Sequence, residues 1–391
     1  MNKGFRKKEN SKDTVLVTGG AGYIGSVTAR ELLDNGYDVV VLDNFVKGRR
    51  FAVQRNLSFA REKDKKFILE EGDMGDTDFL GEVFVRRRIG AVIHFAAFIE
   101  MSESVQRPAL YFYNNIVNTI HLLDSMVEAG VKRIIFSSSA AVYGNPATVP
   151  IREDAPARPI NPYGYTKLTM ERMIRNYHDR FGLEWIAFRY FNAAGASLDG
   201  KLGEAHFPES HLIPNAIDMA SRGKKVKIFG KDYDTADGTC LRDFISISDL
   251  ARAHRFALEL TGKEAINRPY NLGSGKGFTV GTIVREVGKA MGIKTGAQYV
   301  DRRPGDPDKL VASSEAFRRA TGWEPRDSDI GMILRTAAEW YRHRPKETLE
   351  NKPLPLVDEE EIAGKIRDEL TRNRVIPQTL KNEILEKLNH S

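Results

Sequence analysis

Val15-Leu16-Val17-Thr18-Gly19-Gly20-Ala21-Gly22-Tyr23-Ile24-Gly25 decides the fold of this 391-residue chain. A short apolar strand, Val15 to Val17, runs straight into Gly19, Gly22 and Gly25, spaced Gly-x-x-Gly-x-x-Gly. A helix is expected to follow from Ser26 to Asn35, with Gly36 as its stop. Strand, glycine loop and helix in that order make a dinucleotide site. The glycines permit the tight turn and let backbone N–H groups approach a pyrophosphate at the helix N-terminus.

Outward from this unit the chain alternates strand and helix patterns. Strands are predicted at Val39–Leu42, Lys66–Leu69, Ala91–Phe95, Arg133–Ser137 and Trp185–Phe188. Helices are predicted at Phe79–Arg88, Ala109–Ala129 and Tyr163–Arg180. The strand runs are apolar throughout rather than alternating, as in a parallel sheet covered on both faces. The expected fold class is therefore α/β: a Rossmann-type doubly wound parallel sheet with a smaller C-terminal α/β substrate domain. The expected division is 13–190 for nucleotide binding and 191–344 for substrate, with a helix at Ile247–Leu260 packing back on the first unit. Residues 345–391 form a tail, with Pro353 and Pro355 marking a linker. In it Ile362, Ile366 and Leu370, then Leu380, Ile384 and Leu388, recur at helical spacing and predict two short amphipathic helices, docked on the body or on a partner.

Asp43 ends the second strand, eighteen residues after Gly25. A carboxylate there accepts from ribose hydroxyls and repels a 2′-phosphate, which favours NAD over NADP. Asp73, after the third strand, is placed to meet the adenine. His94-Phe95-Ala96-Ala97 ends the fourth strand with small residues that let a cofactor lie close, and His94 is expected to be structural.

Tyr163 and Lys167 stand four apart, on one helix face, with Ser139 ending the fifth strand upstream. An ammonium and a positive nicotinamide ring would both lower the tyrosine pKa, giving a base for a substrate hydroxyl near neutral pH. Lys167 can also hold the nicotinamide ribose. Ser139 can bond the same substrate oxygen and relay its proton.

Composition narrows the alternatives. The polar, basic start, Met1 to Asp13, has no apolar core and is no secretory signal; it holds five Lys/Arg against two acids, half of the net +6. The other charges are mixed in sign, which argues against a nucleic-acid partner. No apolar run spans a bilayer, so no membrane partner is expected and the expected location is cytoplasmic. The single cysteine, Cys240, excludes an intrachain disulfide and a cysteine-built zinc site, and no metal ligand set is expected.

The ordered landmarks resemble the extended short-chain dehydrogenase/reductase family, in its NAD-dependent epimerase/dehydratase branch. They are TGGAGYIGS from Thr18, LDN from Leu42, GDM from Gly72, HFAA from His94, ESVQRP from Glu103, YNN from Tyr113 and SSSAAVYG from Ser137. NPYGYTK from Asn161, RYFNAAGA from Arg189, HLIP from His211, LRDF from Leu241, YNLGSG from Tyr270 and RRPGD from Arg302 complete them. The resemblance covers about residues 13–343 and is nearest to members that interconvert UDP-hexoses at C4. It implies that Gly19, Gly22, Tyr23, Ile24, Gly25, Asp43, Asn44, Asp73, Met74, Phe95, Ala96, Ala97 and Asn114 contact NAD, with Phe191 near the nicotinamide. It implies catalysis by Ser139, Tyr163 and Lys167, and a UDP-sugar held by Asn192, His211, Leu212, Phe229, Arg242, Arg303, Asp306 and Leu310. Arginines suit a diphosphate, being permanently charged and bidentate. The implied reaction is a borrowed oxidation: the sugar 4-hydroxyl loses proton and hydride, the 4-keto sugar turns over, and hydride returns to its other face.

Two departures stand out. Ile99 occupies a place where some relatives have lysine. Leu310, four after Asp306, stands where a large tyrosine in relatives excludes N-acetylated sugars, so UDP-GlcNAc and UDP-GalNAc are expected to fit too. Sugar-nucleotide dehydratases carry an acid pair after the fifth strand, whereas Ala140-Ala141 follow Ser139 here. UDP-pentose and UDP-uronate 4-epimerases share the catalytic set and stay open as alternatives, as does a non-catalytic NAD-binding scaffold. The family also implies a homodimer, paired through the helices near Ala109–Ala129 and Tyr163–Arg180.

Overall fold

The computed structural model describes residues 14–262, 265–303, 306–345 and 358–389. The expectations for Met1–Asp13 and for the Pro353/Pro355 linker lie outside the described residues. Strands β1 (Thr14–Thr18), β2 (Val39–Asp43), β3 (Phe67–Glu71), β4 (Ile89–His94), β5 (Arg133–Ser139) and β6 (Glu184–Tyr190) come first, then β7 (Asn192–Ala194) and β8 (Lys225–Phe229). They are followed by β9 (Leu241–Ser246), β10 (Arg268–Leu272), β11 (Gly277–Thr279), β12 (Gly296–Val300) and β13 (Lys309–Leu310). The helices of the first half are α1 (Tyr23–Asp34), α2 (Arg50–Glu62), α3 (Thr77–Arg87), α4 (Met101–Gln106), α5 (Pro108–Tyr111), α6 (Asn118–Glu128) and α7 (Pro162–Phe181). After them come α8 (Leu212–Ser221), α9 (Ile247–Glu259), α10 (Val280–Met291), α11 (Glu315–Thr321), α12 (Ile330–His343), α13 (Glu359–Arg372) and α14 (Gln378–Asn389).

The main sheet has seven strands in the order β10-β6-β5-β4-β1-β2-β3, every adjacent pair parallel. Leu16, Val40, Val92, Ile134 and Ala187 feed one core, and Val17, Val41, Ile93, Ile135 and Phe188 feed the other. Continuous apolar strands thus bury both faces, as the sequence pattern required. Strand order reverses between β1 and β4, and that switch point opens a crevice at the carboxyl ends of the strands.

Two features differ from the sequence reading. β10 falls within 191–344, expected as the substrate unit, yet it forms an edge of the main sheet beside β6. Its buried Asn271 fixes it there, accepting from the Tyr143 hydroxyl at 2.7 Å and donating to the Ile151 carbonyl at 2.9 Å. The single helix expected over Ala109–Ala129 is α5, a π-helical segment at Phe112–Val117, and α6. The wider turn seats the Asn115 side chain, which accepts from Phe98 N at 2.8 Å and donates to Phe98 O at 3.1 Å and Thr166 Oγ1 at 3.0 Å.

β7, β9, β11 and β13 make a small sheet, and β8 pairs with β12. α8, α10 and α12 pack over them in a separate apolar cluster around Ile217, Ile228, Val287 and Leu334. α9 packs on α1. α13 and α14 lie across α5, the π segment and α7, with their periodic Ile and Leu residues inside the main core cluster. The face expected to pair between copies therefore carries this chain's own tail. No helix of the described residues is long and apolar enough to cross a membrane.

Candidate active site

One cleft of about 1010 Å³ runs from the switch point into the space between the main sheet and the second unit. Its lining includes every residue assigned above to NAD, substrate or chemistry except Lys167.

At the glycine loop, backbone approaches backbone. Gly19 has φ +69°, and a Cβ on it would stand 2.7 Å from Ala96 N. A Cβ on Gly25 would stand 2.3 Å from the Gly19 carbonyl. A Cβ on Gly22, the N-cap of α1, would stand 3.2 Å from the Gly19 carbonyl, and no side-chain cap bonds to this helix end among the described residues. Asp43 accepts from Ala21 N at 2.9 Å and Phe45 N at 2.8 Å, and burial raises its pKa. One N–H on each carboxylate oxygen leaves acceptor capacity toward the cleft. Asp73 accepts from Asn44 Nδ2 at 2.6 Å and Gly75 N at 2.7 Å, and Asn118 reaches it from α6. Met74, Phe95, Ala96, Ala97 and Asn114 continue this wall. Tyr23 Oη donates to the Gly195 carbonyl at 2.7 Å and so ties α1 to the start of the second unit. These features suit a dinucleotide: a helix N-terminus behind a glycine loop, small residues along the adjoining strand end, and a buried carboxylate at the end of the second strand.

His94 is structural, as expected. It is fully buried between Thr18 Oγ1 (2.7 Å) and Thr119 Oγ1 (3.0 Å), and burial lowers its pKa to about 3.

Tyr163 and Ser139 face the cleft, the tyrosine from the first turn of α7. Asn161 caps that turn, accepting from Gly164 N at 2.8 Å, and Tyr163 N donates to Ser104 Oγ at 3.2 Å. Ser139 Oγ accepts from Ala141 N at 3.1 Å. In the protein alone, burial raises the Tyr163 pKa to about 12, offset in part by a hydrogen bond with Ser139. Lys167 lies behind the wall rather than on it, its Nζ donating to the Ser137 carbonyl at 2.7 Å and 6.0 Å from the Tyr163 ring centre. Burial lowers its pKa to about 7, against an opposing pull from Glu171.

The opposite wall is made of side chains. Arg242 is buried on β9, donating to Asp306 Oδ1 at 2.6 Å and to the Leu241 carbonyl at 2.9 Å. The Arg303 guanidinium stacks 3.8 Å over the Phe229 ring. Asn192 donates to the Asp243 carbonyl at 2.7 Å. Phe191, His211, Leu212 and Leu310 fill the spaces between.

Several residues at this site were not anticipated. Glu171 and Arg189 pair in the core at 2.7 and 3.0 Å, and Glu171 also takes the Ser138 hydroxyl. This joins α7, β5 and β6 directly behind Tyr163 and Lys167. The spacing of Lys167 and Glu171 on α7 was the available signal. Glu204, His206, Glu209 and His211 bring their ligand-type atoms within 4.8 Å of one another. Glu204 bonds both imidazoles; burial raises its pKa, yet the two histidines outweigh that and hold it low, while Glu204 raises that of His211 against burial. Mutual charge pairing accounts for the group. The Glu-x-His spacing beside HLIP was legible but unread. Lys47 also enters the cleft near Asp43.

Residues 15–273 match the model for the NAD dependent epimerase/dehydratase family. The chain is 43% identical over 332 residues to a UDP-glucose 4-epimerase of Halalkalibacterium halodurans, covering 85% of this chain and 96% of that protein. It is 44% identical to one of Lactobacillus helveticus, covering 85% and 98%. Among solved structures, UDP-glucose 4-epimerase from Bifidobacterium longum in complex with NAD+ and UDP superposes with a TM-score of 0.80 at 36% identity, over 85% of this chain and 99% of that one. With a matching family model, closely similar relatives and a cleft of this make-up, the chain belongs to the NAD-dependent epimerase/dehydratase family.

Proposed function

We propose that the chain interconverts UDP-glucose and UDP-galactose by inversion at C4, and takes UDP-GlcNAc and UDP-GalNAc as a second pair. One observation carries the reading: a tyrosine–serine pair stands between a dinucleotide loop and an arginine-lined wall within a single cleft. NAD held at the glycine loop by Gly19–Gly25, Asp43 and Asp73 supplies a hydride acceptor that is restored within each turnover.

The chain's own residues do the rest. Arg242 and Arg303 hold the diphosphate, and Phe229 and Leu212 meet the uridine. With that end anchored, the hexose reaches Tyr163 and Ser139. Ser139 bonds the 4-oxygen and lines up its proton. Tyr163 Oη takes that proton as the C4 hydrogen leaves, and returns it when the opposite face is reduced. A buried phenol with a pKa near 12 is a poor base by itself, and the positive charge that bound NAD would bring to the cleft would lower it. Lys167, through the Ser137 carbonyl, keeps strand end and helix in register.

The purified protein, with no added cofactor, is to be incubated with UDP-galactose and the products separated. UDP-glucose is the expected product. Retained NAD with no turnover of any UDP-hexose overturns the reading in favour of a pentose or uronate substrate or a scaffold.

A further inference from the structure

We infer that α13 and α14 take the place of a second subunit: they seal the outer face of α5, the π segment and α7 within one chain, which is thereby monomeric. The relatives lack the means to do this. The two named above are matched over 96% and 98% of their own length by only 85% of this chain. What remains of them is too short for a helical hairpin, so this cover has no counterpart there.

The covered face is strongly apolar. Ile362, Ile366 and Leu370 of α13 and Leu380, Ile384 and Leu388 of α14 are buried in one cluster with Tyr111, Phe112, Met170 and Tyr177. Stripped of the hairpin, such a face is a contiguous hydrophobic surface, which in water is covered by another chain. The hairpin is also fixed in register by polar contacts. Asn373, buried at the bend, accepts from Val375 N and Ile376 N at 2.9 Å each and donates to Tyr177 Oη at 2.9 Å. Tyr177 Oη in turn donates to Asp124 of α6 at 2.5 Å. Arg172 of α7 donates to both carboxylate oxygens of Glu383 at 2.8 and 2.9 Å. Glu369 pairs with His121 of α6 at 3.5 Å. A buried hydrogen-bond chain with its partners on three elements specifies one docked arrangement.

The surface also adjoins the cleft. α13 packs on the π segment, whose Asn114 lines the cleft. Undocking the hairpin is therefore expected to loosen retained cofactor as well as to open the face.

Light scattering on the full chain over a hundredfold concentration range gives the first reading. A mass near 44.0 kDa throughout is expected, and a mass of two copies overturns the inference. Full-length Ile366→Asp/Ile384→Asp is expected to shift to two copies, with release of α13–α14 seen as new protease cleavage there. A released hairpin on a chain that stays single also overturns it. Should that variant not fold, Arg172→Cys/Glu383→Cys treated with a short bifunctional maleimide, which spans the gap left by two long side chains, decides. The reagent is expected to join the cysteines within one chain, Cys240 being buried, and a doubled mass on a denaturing gel would show exchange of hairpins between copies and refute the inference.

Discussion

Against the glycine loop, the limits are set by backbone atoms: a Cβ on Gly25 meets the Gly19 carbonyl at 2.3 Å and one on Gly19 meets Ala96 N at 2.7 Å. Across the cleft, the corresponding contacts are side-chain ends: Arg242 on Asp306, and Arg303 over Phe229. Backbone cannot give way without moving a strand, whereas a guanidinium can re-aim at the cost of one ion pair. The first wall should therefore fail as a unit, and the second by degrees. Changes at the first should abolish the bound state; changes at the second should alter which sugar nucleotide binds, and how well.

Gly25→Ala gives the largest effect. It is expected to lose retained NAD and turnover together while the substrate wall is left intact, as read by nucleotide released on denaturation. Retention at the wild-type level would break the contrast at its stronger end. Tyr163→Phe removes one oxygen that belongs to neither wall. Turnover should fall by roughly 10²–10⁴-fold, the usual span for a general acid–base group, with NAD retention unchanged.

Arg242→Ala should act on KM more than on kcat. Loss of a charge-assisted hydrogen bond costs about 1.5–3 kcal/mol, or ~10–150-fold in binding. Asp306→Asn should cost less, since the guanidinium remains for the ligand. A collapse of kcat with KM unmoved would mean that this wall, too, is rigid. Leu310→Tyr adds a ring where a half-buried leucine lines the cleft. About tenfold less turnover of N-acetylated sugars is expected, with UDP-glucose little changed, in line with 1–3 kcal/mol for a steric change in an apolar pocket. Equal selectivity in both proteins would remove Leu310 as a determinant.

The same contrast explains what was legible in the sequence. The glycine loop, Asp43 and the apolar strands could be read from the residues because their work is local: spacing, strand ends and backbone space. The substrate wall draws on β9, β13 and the segment around Arg303, far apart in the chain, and no local period announces that Arg242 and Asp306 will meet. Only the family resemblance named them. The π segment was hidden because the reason for it, Asn115 bonding Phe98, is tertiary. β10 reads as a short strand anywhere; its partner is fixed by Asn271. The tail helices were visible as Ile and Leu recurring every four residues, but periodicity does not say which surface receives them.

Lys167 gives the smallest effect and tests whether the scaffold behind the first wall carries a cost of its own. Its folded pKa, near 7, lies below the ordinary value of 10.5 because burial disfavours the charged amine. Below pH 7 the amine is protonated in both states and the burial penalty is fully present. As pH rises through 7 toward 10.5 the folded protein releases this proton while the unfolded chain keeps it, so the unfolded state binds more protons and stability rises. Lys167→Met keeps the volume and drops the charge, while Glu171 keeps its partner Arg189. Its Tm relative to wild type should therefore be highest near pH 6 and fall by roughly 3 °C toward pH 9. An advantage that instead stays flat from pH 6 to pH 9 would mean that Lys167 is held charged in the folded protein as in the unfolded chain, and that the wall behind Tyr163 supplies a positive field after all.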